Sequence, residues 1–159
     1  MTVADVATEL LGPSNAADEL ARSLPTWWAA IGEPLVFTIL GEPASKANSR
    51  KFVLLGKKGA QRPAVIKSEK ARSYVRSAEP QIPKLPSLIT GPVTVTLRIW
   101  YASERPDLDG SLILDAMQGR IYANDRQVRE LHLFHGIDRA NPRTGVIVQP
   151  LVAQQAPLF

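Results

Sequence analysis

The strictest alternation of apolar and polar positions runs from Pro92 to Tyr101. There Val93, Val95, Leu97, Ile99 and Tyr101 interleave with Thr94, Thr96, Arg98 and Trp100. A period of two puts one set on a single face and predicts a half-buried strand. Leu35 to Leu40, bounded by Gly32-Glu33-Pro34 and Gly41-Glu42-Pro43, reads as a first strand, and Gly145 to Pro150 as a last one. Phe52 to Leu55 predicts a short strand with a basic turn at Gly56–Gly59, and Gln127 to Leu133 alternates imperfectly.

Helical spacing appears in three places. Lys67–Ser77 has helical character, with Ala71, Tyr74, Val75 and the following Ala78 towards the core and Ser68 as the candidate N-cap. Ser111 to Gln118 predicts a short helix closed by Gly119 at the position after its C-cap. Residues 2–31 carry Val3, Val6, Leu10 and Leu11, then Ala17, Leu20, Ala21 and Leu24, at helical intervals broken by Gly12-Pro13 and Pro25. This predicts a helical N-terminal appendage over residues 1–33, a single domain over 34–152 and a tail over 153–159. Trp27-Trp28 has two readings, docking of the appendage onto the core or stacking on nucleic-acid bases. Pro80, Pro83 and Pro86 enforce an extended linker.

Composition narrows the chemistry. The chain has 159 residues, 45% of them hydrophobic, enough for one domain with a real core. It has no cysteine, which removes disulfides, thiolate metal sites and cysteine nucleophiles. Two histidines, His132 and His135, leave a His-rich zinc site poorly supplied, and they read as structural or surface residues. No apolar run reaches the length of a membrane span, and the N-terminus lacks a basic n-region, so the expected location is the cytoplasm.

The net charge of +4 is unevenly spread. Residues 1–33 hold Asp5, Glu9, Asp18, Glu19 and Glu33 against Arg22 alone. Residues 46–76 hold ten bases, among them Lys46, Arg50, Lys51, Lys57, Lys58 and Arg62, against Glu69 alone. Such a segment is either an ordinary solvated surface or a face for a polyanion.

The informative stretch is Arg105 to Glu130. Asp107 and Asp109 follow a predicted strand two residues apart, so extended backbone would point both carboxylates one way. Two close carboxylates repel and need a proton or a cation, and hard oxygen donors suit Mg²⁺ or Mn²⁺. Asp125 follows the short helix, where the chain could return to the same edge. Spacing alone leaves the alternative open that Asp109 merely caps the helix at Ser111 and that Asn124-Asp125 is a turn.

In order, Arg-Pro-Asp-Leu-Asp (105–109), Leu-Asp-Ala-Met (114–117), Gly119, Tyr122, Asn124-Asp125 and Gln127-Val128 resemble the signature of the RusA-like Holliday junction resolvases. That family carries Asp-x-Asp-Asn, then Leu-Asp-Ala-Leu on a helix, then a Gly, an aromatic and Asp-Asp-x-Gln-Val. Gly41-Glu42-Pro43 with Lys46 and Arg50 is similar, more loosely, to its Gly-x-Pro-x-x-Lys loop. The resemblance spans roughly residues 35–150 and is specific over 105–128.

The resemblance implies an α+β fold, a small mixed β-sheet with packed helices, and a homodimer whose two-fold symmetry suits a four-way junction. It implies an Mg²⁺-dependent endodeoxyribonuclease (Mn²⁺ as substitute) of DNA recombination and repair, acting on branched DNA in the cytoplasm of a bacterial or phage-infected cell. One phosphodiester would be hydrolysed per subunit, leaving a 5′-phosphate. Asp107, Asp109 and Asp125 match the catalytic, metal-binding carboxylates, and Asp115 matches the acid of the helix motif. The phosphate contacts are expected among Lys46, Arg50, Lys51, Lys57, Lys58 and Arg62.

Three departures stand out. Gly110 replaces an Asn and Asn124 replaces an Asp, while Asp109 to Asp115 is two residues shorter than in the family. The missing stretch would hold a lysine placed near the cleaved phosphate. Arg105, Arg120 and Arg126 are the candidate substitutes, and a branched-DNA-binding protein with little or no cleavage is the alternative function. A partner-binding domain that docks through the acidic appendage is a further one.

Overall fold

The computed structural model describes residues 28–30, 34–45 and 48–153. The helical spacings read in residues 2–24, Trp27, Lys46 and the tail from residue 154 lie outside the described residues. The strands are β1 (Trp28–Ala30), β2 (Leu35–Leu40), β3 (Arg50–Leu55), β4 (Arg62–Lys67), β5 (Val93–Tyr101), β6 (Val128–Ile137) and β7 (Arg143–Ala153). Two α-helices are α1 (Glu69–Ala78) and α2 (Ser111–Met117). The result is the expected α+β fold with a small mixed sheet. Among the described residues no helix is long and apolar enough to cross a membrane.

β5 is the spine. It pairs antiparallel with β7 on one side and parallel with β6 on the other. The far edge of β7 is shared by β2, opposite Arg143–Val148, and by β1, opposite Leu151–Ala153. Register aligns Val95 with Val148 and Leu131, and Leu97 with Val146 and Leu133, so apolar positions of adjacent strands meet on one face. Onto that face pack Leu112, Ile113, Ala116 and Met117 of α2 and Ala71, Tyr74 and Ala78 of α1. The alternation of β5 predicts burial on one face only, yet Thr94 and Thr96 are also buried. The first half of the strand is thus buried on both faces, while Arg98 and Trp100 further along are half-buried.

Local chemistry sets the helix ends. The Ser68 hydroxyl accepts a hydrogen bond from Ala71 N–H at 3.1 Å, as the N-cap reading predicts. Gly119 takes φ +75° just beyond α2, a left-handed conformation that side chains resist. Two strands depart from expectation. Residues 28–30, within the segment read as helical, form β1, and β4 completes a hairpin with β3 where no second strand is predicted. Lys67, read as the start of a helix, is the last residue of β4.

Because β5 and β6 run parallel, the chain between them must cross over the sheet. That crossover, residues 102–127, contains every acid of the motif.

Candidate active site

The crossover is pinned at both ends. Tyr101, closing β5 and only 1% exposed, donates its hydroxyl hydrogen to the Asp107 carbonyl at 3.1 Å and accepts Asp109 N–H at 3.3 Å. Its ring stacks on His135 at 5.2 Å. Burial first, then the nearby Asp109, Glu42 and Asp107 carboxylates, raise its pKa, so it stays a neutral donor. The chain then doubles back over the sheet. At Gly110 an added Cβ would stand 2.8 Å from Leu97 Cδ1 and 3.0 Å from Leu133 Cδ2. A side chain such as the family's Asn would therefore require these two leucines to shift.

At the other end, Asn124 caps a short 3-10 turn, Asp125–Gln127, by accepting Arg126 N–H at 2.9 Å. Asn supplies the same acceptor as the Asp it replaces. Gln127 Oε1 accepts Ala123 and Asn124 N–H, while its Nε2 donates to the Ile89 and Gly91 carbonyls. Tyr122, fully buried, donates to the Leu114 carbonyl at 3.0 Å. The motif's Tyr122, Asn124 and Gln127 are thus scaffolding that holds Asp125.

Asp109 accepts Ser111 N–H on Oδ1 and the Ser111 hydroxyl on Oδ2, each at 3.0 Å. Asp109 therefore ties down the start of α2 although the N-cap itself is Gly110, which has no side-chain cap, and Asn124-Asp125 does form a turn. Ser111 in turn lines a cleft of about 180 Å³ with Asp115, Asp125, Ser49, Arg50 and Lys67. Asp115 and Asp125 both raise the pKa of Tyr122, behind the larger effect of its burial. Asp115 pairs with Lys67 at 2.8 Å and accepts Gln118 Nε2 at 3.3 Å.

The four acids are therefore arranged unequally. Asp115 and Asp125 share the cleft, Asp109 borders it through Ser111, and Asp107 is exposed beside it in sequence. Among the described residues no three Asp, Glu or His side chains stand close enough to hold one ion as they are. The donors available are all hard oxygens, which fits Mg²⁺ or Mn²⁺ in kind.

The predicted phosphate-binding bases Arg50, Lys51, Lys57, Lys58 and Arg62 all lie exposed on the β3–β4 hairpin, and Lys46 falls outside the described residues. From Arg50 to Lys67 there are six bases and no acid. Arg50 and Lys67 are directly opposed in the ladder, so both project from one face at the root of the hairpin. Of the candidate substitutes for the missing lysine, Arg120 is committed to the Ile82 carbonyl at 3.1 Å. Arg105 lines a separate hollow with Glu42 and Lys70, and Arg126 lies beside Gln127 and Arg129. Sequence reasoning missed Lys67, Ser49 and Ser111. A Ser68 N-cap already places Lys67 outside the helix, the one local signal that could have exposed it.

His132 sits 3.6 Å from Glu130, and His135 stacks on Tyr101. Both are on β6, and His135 thereby packs on the tyrosine that anchors the Asp107–Asp109 turn.

No curated protein matches the sequence. A family model does: Endodeoxyribonuclease RusA, over residues 41–149, more than half of the chain and all of the crossover. With its mixed sheet and its acid-bearing β5–β6 crossover, the chain belongs to the RusA endodeoxyribonuclease family, the Holliday junction resolvases.

Proposed function

We propose that this chain is a metal-dependent, structure-selective endonuclease that cuts four-way DNA junctions by paired phosphodiester hydrolysis. The observation that carries the reading is the cleft itself. Carboxylates of Asp115 and Asp125, with Asp109 behind Ser111, face Arg50 and Lys67 at the root of an acid-free basic hairpin. Phosphodiester cleavage asks for both halves, oxygen ligands for a cation and bases for the flanking backbone. Asp107, Asp109 and Asp125 are the proposed ligands of Mg²⁺ or Mn²⁺. The bound ion supplies a more acidic water and charge neutralisation at the phosphate.

The chain's own residues divide the remaining work. Tyr101 fixes the Asp107–Asp109 turn, Asn124 and Gln127 fix Asp125, and the hairpin bases hold the strand against the cleft. Two copies related by a two-fold axis would present two such clefts to the near-symmetric strands of a junction. Because Asp109 is engaged by Ser111, a second reading stands beside this one: a family member that binds branched DNA without cutting it.

The two separate on one experiment. A four-way junction and a linear duplex of the same sequence are incubated with the protein in Mg²⁺, Mn²⁺ or EDTA. The nuclease reading expects metal-dependent cutting of the junction and an intact duplex. Tight junction binding without cutting under either ion would establish the second reading instead.

A further inference from the structure

Helix α2, Ser-Leu-Ile-Leu-Asp-Ala-Met, borders the cleft with no basic residue of its own. Both cations of the cleft come from the hairpin, which lies more than forty residues earlier in the chain. They are held differently. Lys67 Nζ is fixed at 2.8 Å from Asp115 Oδ2, and Asp115 Oδ1 is itself fixed by Gln118. Arg50 makes none of the ion pairs found among the described residues.

We propose that Lys67 is a catalytic residue, its ammonium contacting a non-bridging oxygen of the scissile phosphate, with Asp115 as the residue that positions it. The inference rests on the nuclease reading above. Its chemistry is simple. An ammonium has three donor hydrogens and a compact charge, so one N–H can stay on Asp115 while another meets a phosphate oxygen. The side chain is about half exposed at the cleft mouth, on the same ribbon face as Arg50, so a strand held by the hairpin bases would pass over both. Asp115 thereby has a role that does not require it to touch metal. It keeps a long, flexible side chain at one place before substrate arrives. The hairpin then both grips DNA and completes the cleft.

The test separates chemistry from binding. Single-turnover cutting of an end-labelled four-way junction in Mg²⁺ is measured for wild type, Lys67→Gln, Lys67→Arg, Asp115→Asn and the double variant Lys67→Gln/Asp115→Asn. Junction affinity is measured in EDTA, and thermal midpoints check folding. Lys67→Gln is expected to slow cutting about 100-fold, the usual scale for losing one donor to a developing oxyanion, with affinity within about threefold. Lys67→Arg should recover most of the rate, and Asp115→Asn should fall between. The double variant should be as slow as Lys67→Gln.

A lysine that merely neutralised Asp115 would behave otherwise. Removing both charges would then restore the rate, and that recovery would overturn the proposal. So would unchanged cutting by Lys67→Gln while wild type is active. If wild type itself leaves the junction whole with both ions, the nuclease reading is what has failed, and the role of Lys67 falls with it.

Discussion

Removing one oxygen atom, in Tyr101→Phe, should loosen the Asp107–Asp109 turn while leaving the sheet intact. The hydroxyl makes two hydrogen bonds to the turn, to the Asp107 carbonyl and from Asp109 N–H. Phenylalanine keeps the ring, the buried position and the stack on His135. Each such bond contributes about 0.5–1.5 kcal/mol net, so both together bound the loss at about 1–3 kcal/mol. Asp107 is exposed and Asp109 only half-buried, so water can reach the abandoned groups, which places the expected loss at about 1–2 kcal/mol. Urea unfolding should show a lower midpoint with an unchanged slope, since the surface exposed on unfolding is the same. Junction cutting should fall further than this stability loss explains, because the two acids lose their common anchor. A midpoint and a cutting rate both equal to wild type would refute the claim that Tyr101 positions the acids.

Other consequences are independent of that one. Gly110→Asn, which restores the family's residue, should destabilise by about 1–3 kcal/mol through overpacking against Leu97 and Leu133, read by thermal or urea unfolding. A neutral result would mean that the close approach at Gly110 is misplaced. All three tyrosines, Tyr74, Tyr101 and Tyr122, have pKa values raised chiefly by burial. A raised folded pKa means their contribution to stability is complete below the ordinary value of 10.0 and is lost as pH climbs above it. Phenolate absorbance should therefore lag in the folded protein and appear together with unfolding. Asp138 is the opposite case, held low first by its bond from Arg143, at 2.6 Å, so its stabilising effect is present above pH 3.8 and fades as pH falls below it. The difference in midpoint between wild type and Asp138→Asn should shrink over that acid range. Neutralising Lys57 and Lys58 together should flatten the salt dependence of junction binding by up to about 2 in the logarithmic slope. An unchanged slope would place the DNA elsewhere than on the hairpin.

Elements whose pattern is local and strong were legible in the sequence. Strand β2 has the expected bounds, β5 differs from expectation by one residue at its start, and Ser68 caps α1 as read. Gly119 ends α2 because its backbone needs a conformation that few residues adopt. β4 was not legible, since Pro63 and its flanking bases Arg62 and Lys67 disguise a strand that exists by pairing with β3. β1 is three residues long and is set by its register on the end of β7, a tertiary preference with no periodic signal. The same division applies to the candidate site. Asp107, Asp109, Asp115 and Asp125 were visible because one crossover carries them all in order. Lys67 was not, because the Asp115 it meets is 48 residues away in sequence. Nor could spacing decide whether Asp109 serves the start of a helix or a cleft, since in the structure it bonds Ser111, which begins the helix and lines the cleft.

The central claim, that this cleft cuts junctions, is tested most directly by mapping the cuts. A four-way junction with each strand labelled in turn would be incubated with wild type and with Asp109→Asn in Mg²⁺. The account predicts paired nicks at symmetry-related positions on two opposed strands, absent in the variant although it still binds. Junctions bound yet uncut by wild type in both Mg²⁺ and Mn²⁺, or cuts that persist in Asp109→Asn, would contradict it.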